Sequence, residues 1–232
     1  MVFAGETSIR AVLFDIDGTI LVTGGAGGVA WQRAFEELYG VEANVAERTD
    51  AGMTDPEIAA IVFREAVGRE GTPEERARAV GGYLKHLPDA VAESAGYRVM
   101  PGIEKLLDRL IDSGHLLGLV TGNVEAAAHI KLARAHLNRF FSFGGYGSDS
   151  ADRTEVTEAA LRRGSLVSGG TLADGACISV GDTPRDVEAG HGAGIRVVGV
   201  ATGRYSVEEL EQAGADWAIS QVSDGFPVGT AF

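Results

Sequence analysis

Two carboxylates one residue apart, Asp15 and Asp17, close the short apolar run of AVLFDIDGTILV (11–22) and are followed at once by Gly18 and Thr19. Carboxylates repel each other and resist burial, so such a pair calls for a cation, a shared proton or an exposed strand end. Two further polar signatures stand at the ends of apolar runs, Thr121-Gly122-Asn123 and the GDTPRD of residues 181–186. In parallel α/β sheets, ligands collect at the carboxyl ends of strands, where helix N-termini also point. Strand alternation would send Asp15 and Asp17 to opposite faces, but a turn after Asp15, to which Gly18 is suited, brings Asp17 back to the same pocket. Asp15, Asp17, Asp182 and Asp186 would then converge, and they cannot all ionise without a cation. An oxygen-only donor set suits a hard octahedral ion, and Mg2+ keeps waters and bridges to phosphate. Thr121, with the backbone N–H groups of Gly122 and Asn123, offers anion donors on the other side. Metal and donors together make a phosphate site.

These residues need strand ends to hold them. Short runs rich in Val, Ile, Leu or Phe lie at 10–15, 115–122, 176–182 and 195–200, with weaker candidates at 139–147 and 216–219. Between them, PGIEKLLDRLIDSGH carries Ile103, Leu106, Leu107, Leu110 and Ile111 at helical offsets, with Pro101 before and Gly114 after. Apolar runs separated by helices predict a parallel sheet covered on both faces. The stretch from Thr23 to Gly96 breaks the rhythm: VAWQRAFEELYG, DPEIAAIVFREAVG and TPEERARAVGGYLKHL all read as helices, between the glycine-rich GGAGG and the Ala-Gly of ESAGYRVMPG. An inserted helical domain on two hinges is expected there. The tail QVSDGFPVGTAF reads as an irregular final connection.

With 232 residues, 45% of them hydrophobic and 23% charged, the chain can bury a substantial core. Its 33 Asp and Glu against 20 Lys and Arg leave a net charge of −13, which repels nucleic acid and anionic membrane but allows a small phosphorylated metabolite in a locally cationic pocket. The single cysteine, Cys177, can form neither an intrachain disulfide nor a cysteine zinc site. The opening MVFAGETSIR lacks a basic segment followed by an apolar one, so a cytoplasmic setting is expected. The oligomeric state is left open.

In combination, DxDGT at 15–19, Thr121 after the second core strand, a basic residue and GDxxxD at 181–186 resemble the haloacid dehalogenase superfamily of phosphohydrolases. The resemblance covers residues 10–22 and about 97–200, and it implies a Rossmann-like α/β core (1–22 and 97–232) with an α-helical cap at 23–96 of the kind that follows DxDGT. It implies that Asp15 attacks phosphorus to give an aspartyl-phosphate and that Asp17 serves as acid and then base. Asp182, the Asp15 side chain and the Asp17 backbone carbonyl would hold Mg2+, with Asp186 just behind. Where the family commonly has a Lys-Pro pair, this chain reads Ser150-Ala-Asp-Arg153-Thr-Glu155, making Arg153 the positional match. Lys131 shares helical offsets with Val124, Ala128, Leu132 and Ala135, and an inward cation wants a buried carboxylate. Both are candidates to stabilise the Asp15 charge and the phosphoryl group, and Lys131 is favoured.

The expected activity is Mg2+-dependent hydrolysis of a small phosphomonoester, phosphoglycolate-like or a sugar phosphate. The competing readings are a phosphomutase of the β-phosphoglucomutase kind and a non-catalytic phosphate-binding protein. Near the site, Gly52, Met53 and Thr54 precede a helix and could reach over it, while Thr54 or Asp55 could simply cap that helix before Pro56. Trp31, Phe35 and Leu38 are expected in packing, and His86, His115, His129, His136 and His191 show no ligand-like spacing.

Overall fold

The structure, a computed structural model, describes residues 9–172 and 175–228. Six parallel strands form one sheet in the order β5-β4-β1-β6-β7-β8, with β1 at Ala11–Phe14, β4 at Leu116–Thr121, β5 at Phe143–Tyr146, β6 at Cys177–Gly181, β7 at Arg196–Val200 and β8 at Trp217–Ile219. All six lie within the runs identified from the sequence. Every residue of β1 and β6 is buried because helices cover both faces of the sheet, which is why these strands are continuously apolar rather than alternating. β1 is flanked by β4 on one side and β6 on the other, so the chain reverses its winding at β1 and leaves a crevice at the carboxyl ends of these three strands. This is a doubly wound, Rossmann-like α/β fold.

Helix α5 (Ile103–Asp112) buries Ile103, Leu106, Leu107 and Leu110, but Ile111 is 43% exposed. At about 100° per residue, position 111 falls roughly a quarter-turn from the centre of that stripe, so the expected fifth core residue faces water. Helices α6 (Glu125–Ala133), α7 (Arg153–Ser168), α8 (Pro184–Gly192) and α9 (Val207–Gln212) link the remaining strands. The tail has no regular element through residue 228, yet Val222, Phe226 and Val228 are buried and Phe226 stacks on Phe14 with ring centroids 6.5 Å apart. Its last four residues, and the opening MVFAGETS, lie outside the described residues.

The stretch after β1 forms helices α1 (Ala26–Tyr39), α2 (Val45–Arg48), α3 (Asp55–Val62) and α4 (Pro73–Glu93), with a wide π-turn at Phe63–Val67. Their own apolar cluster is built on Trp31 stacked against Tyr83, with centroids at 4.4 Å, and on Phe35 edge-on to Phe63. α4 runs on through Pro88 to Glu93; the burial of Leu87, Ala90 and Val91 offsets the hydrogen bond that the proline cannot donate. Two short strands, β2 (Leu21–Thr23) and β3 (Tyr97–Val99), pair antiparallel where the chain leaves and rejoins the sheet. Three residues each are too few to show a period, so no sequence pattern marks this ribbon. Gly24 and Gly96 touch there: a Cβ on Gly24, at φ 62°, would lie 2.5 Å from Gly96 backbone. Among the described residues no helix is long and apolar enough to cross a membrane.

Candidate active site

Asp15 leaves β1 still held by the sheet, its N–H donating to the Val180 carbonyl at 2.9 Å, and it stays buried. The chain then folds over the Ile16 carbonyl, which accepts from Thr19, Ile20 and Leu21. Gly18 makes this possible at φ 90°; a Cβ there would strike the Asp182 carboxylate at 2.3 Å. The turn brings Asp15 and Asp17 to one cleft, as their spacing predicts. Their partners differ, however. Asp17 is half-buried and accepts from Lys131 Nζ at 2.6 Å and from Asn123 Nδ2 at 2.8 Å.

At the end of β6, Asp182 accepts from the Thr19 hydroxyl at 3.1 Å. Thr183 caps α8, and Asp186 reciprocates by accepting the Thr183 N–H at 3.0 Å and its hydroxyl at 2.7 Å. The other Asp186 oxygen accepts from Arg153, whose Nη2 also lies 3.6 Å from Asp15 Oδ1. Arg153 is therefore the cation beside Asp15, and Lys131, favoured on sequence for that place, sits beside Asp17. The long Lys131 side chain rises from α6, under the Thr121 loop, and meets the carboxylate that turned back rather than the one still in the strand line.

Asp15, Asp182 and Asp186 offer oxygens that all lie within 4.8 Å of one another, and all three residues are buried. Burial pushes the Asp15 carboxyl up to about 7, with Asp186 adding repulsion and Arg153 opposing it; burial and the charges of Asp186 and Asp15 push Asp182 up to about 8, against the Thr19 hydrogen bond. Three carboxylates against one guanidinium leave two negative charges, which one divalent cation balances. The donors are all oxygen, the set that hard cations take. Asp186 already spends both oxygens on Arg153 and Thr183, so Asp15 and Asp182 are the more available donors. The Asp17 side chain stands outside this cluster, so of Asp17 only the backbone carbonyl remains as a candidate ligand.

A pH dependence follows. With folded-state values raised above the ordinary 3.8, the folded protein binds more protons than the unfolded chain between about pH 4 and pH 8. Stability without metal should therefore fall as the pH rises through that window. A divalent salt should raise Tm more at pH 8 than at pH 5, and thermal melts with and without it check this.

The Thr121 hydroxyl accepts from the Asn123 Nδ2 at 2.7 Å and from the Asn123 N–H at 3.3 Å, so its own proton is the one it can donate to a ligand. The Asn123 N–H, expected to point at an anion, is turned inward by that bond. The Asn123 amide oxygen in turn accepts from Lys131 Nζ at 2.5 Å. Gly122 is pressed against the loop before α3: a Cβ would lie 2.5 Å from the Met53 carbonyl oxygen. Arg153 donates to the Gly52 carbonyl from the opposite side, at 3.3 Å, and its buried Nε has no hydrogen-bond partner. Gly52 and Met53 line the cleft, as does Asp55; Thr54 is the cap of α3, in a capping box with Glu57.

The sequence marks Asp55 only as a possible cap of α3. It is buried, its N–H donates to the Gly122 carbonyl at 2.8 Å, and its carboxylate accepts the Val124 N–H at 2.8 Å at the start of α6. Burial pushes its carboxyl up to about 6, against the pull of Lys131. An acid beside a threonine cap looks like ordinary first-turn chemistry, and no spacing in the sequence marks its reach across to α6. Trp31 and Tyr83 also border the cleft while packing on each other. Cys177 stays in the core, its thiol pushed up to about 12 by burial.

A phosphoglycolate phosphatase of Synechococcus elongatus is 27% identical over 217 residues, covering 93% of this chain and 95% of that protein. Among solved structures, CbbY from Rhodobacter sphaeroides in complex with phosphate superimposes with a TM-score of 0.73 at 21% identity, covering 94% of this chain and 96% of that one. A hydrolase from Pseudomonas syringae gives 0.69 at 21% identity, with coverage of 93% and 95%. These structures share the fold described above, and residues 12–200, which carry the carboxylate cluster and both candidate cations, match the profile of haloacid dehalogenase-like hydrolases, so the chain belongs to that family.

Proposed function

We propose that this protein is a Mg2+-dependent phosphatase that hydrolyses a small soluble phosphomonoester through an aspartyl-phosphate on Asp15, in a cytoplasmic setting. The observation that carries the reading is the meeting of Asp15 and Asp17 in one cleft, with the three-carboxylate cluster behind and Lys131 and Arg153 at its sides. Asp15, Asp182 and the Asp17 carbonyl would hold the ion, with Asp186 behind them. Bound there, Mg2+ supplies hard positive charge against the phosphoryl oxygens.

The Thr121 proton and the unpartnered Arg153 Nε are donors for those oxygens. Asp15 attacks phosphorus in line while Asp17 gives its proton to the departing alkoxide; Asp17 then takes a proton from the water that attacks the phosphorus of the aspartyl-phosphate. As the structure stands, Lys131 is paired with the Asp17 side chain at 2.6 Å. A phosphoryl group arriving in the cleft competes for that ammonium, and the exchange leaves the Asp17 side chain free to face the departing oxygen.

The helical insertion, residues 23–96, is read as a lid hinged near Gly24-Gly25 and Gly96. It is tied to the core by the Asp55 bonds to Gly122 and Val124 and by the Arg153 bond to Gly52, and it would exclude bulk water during the attack. The deciding experiment is phosphate release from a panel of small esters with and without Mg2+. Release that requires the metal supports the reading. Isomerised sugar phosphate without free phosphate would favour a mutase, and binding without turnover a non-catalytic role.

A further inference from the structure

The cleft, about 190 Å³, is far smaller than a drug-sized pocket, and its two ends differ in charge. Both basic residues that line it, Lys131 and Arg153, stand at the phosphoryl end, where each already faces carboxylates. The wall supplied by the insertion presents Trp31, Met53, Ile58 and Tyr83 together with two acids, Asp50 and Asp55. Among the described residues of that wall there is no lysine, arginine or histidine. Arg185 packs on the outer side of Gly52, but it lines the neighbouring groove and pairs with Glu57 at 3.6 Å. The first turn of α1, Gly27 and Gly28, borders the cleft too. Its dipole is worth roughly half a positive charge, against the Asp50 carboxylate and the buried Asp55.

We propose that the alcohol released by this enzyme bears no negative charge: the substrate is the monophosphate of an uncharged or amine-bearing alcohol, rather than of one bearing a carboxylate or a second phosphate. This rests on the phosphatase reading above and narrows it. An anionic arm would leave water for a wall that repels it and offers no counter-cation, since the two cations of the cleft are committed to the transferring group and its carboxylates. An uncharged arm loses nothing there, and an ammonium gains Asp50, while Asp55 is buried and already holds the Val124 N–H. The name of the Synechococcus relative points to a carboxylate-bearing ester, so the two proteins would differ in substrate while sharing a fold.

The test uses three esters of one size that differ only in the terminal group: ethylene glycol monophosphate, phosphoethanolamine and phosphoglycolate. The full-length protein with Mg2+ is assayed on each, and each also competes against hydrolysis of p-nitrophenyl phosphate, so that the order is measured even for an ester that turns over slowly. The uncharged and amine esters should exceed phosphoglycolate in kcat/KM, or bind more tightly as competitors, by about tenfold or more. Asp50→Lys should narrow that gap by favouring phosphoglycolate. Phosphoglycolate equal to or better than the other two would overturn the inference while leaving the phosphatase reading intact. Failure to hydrolyse p-nitrophenyl phosphate and all three esters would overturn both.

Discussion

Replacing Asp15 by Asn should lower turnover by about 10⁴-fold or more, because an amide oxygen cannot attack phosphorus and no other carboxylate occupies that position. The same change should raise the Tm of the metal-free protein at pH 8. Asp15 is buried beside Asp182 and Asp186, and the largest influences on it, burial and the Asp186 charge, both disfavour its ionised form. Removing that charge therefore relieves more repulsion than the lost Arg153 pairing supplied. A kcat measurement with parallel thermal melts separates this from a folding defect. Substantial residual activity in a well-folded Asp15→Asn protein would sink the covalent mechanism.

The Asp17→Asn variant should retain metal and phosphate binding, since Lys131 still has the Asn123 amide oxygen and the carboxylate cluster does not include the Asp17 side chain. Its rate should fall by about 10² to 10⁴-fold, the usual range for a general acid–base group. The loss should be smaller for p-nitrophenyl phosphate, whose leaving group needs no proton, than for an alkyl ester. The pH–rate profile should lose the limb that reports Asp17. An equal loss on both esters with an unchanged profile would assign Asp17 a structural role only.

Most of the sheet was legible because its strands are short apolar runs buried on both faces and punctuated by glycine or a polar residue, as in ACISVGD before α8. The candidate site was legible for the same reason, since its acids stand at the ends of β1 and β6 and Thr121 at the end of β4. What escaped was whatever depends on two distant segments meeting. The β2–β3 ribbon spans only Leu21–Thr23 and Tyr97–Val99, too short for a periodic signal. Asp55 reaches Val124 across 69 positions of sequence, and its neighbours Thr54 and Pro56 mark it merely as a helix start. The division of labour between Lys131 and Arg153 depends on which side of a turn each acid faces. That is set by Gly18 at φ 90° and not by the spacing of the cations. The tail looked irregular and is so, but Phe226 anchors it to Phe14, a contact that no local pattern announces.

If the phosphoryl group passes through Asp15 on its way to water, the stereochemical course at phosphorus records it. With a phosphorothioate analogue of a good ester, made chiral at phosphorus by two oxygen isotopes and hydrolysed in water of the third, two successive in-line displacements each invert the centre and together restore it. Passage through Asp15 releases thiophosphate with retention of configuration. Net inversion, the mark of a single direct attack by water, would contradict it.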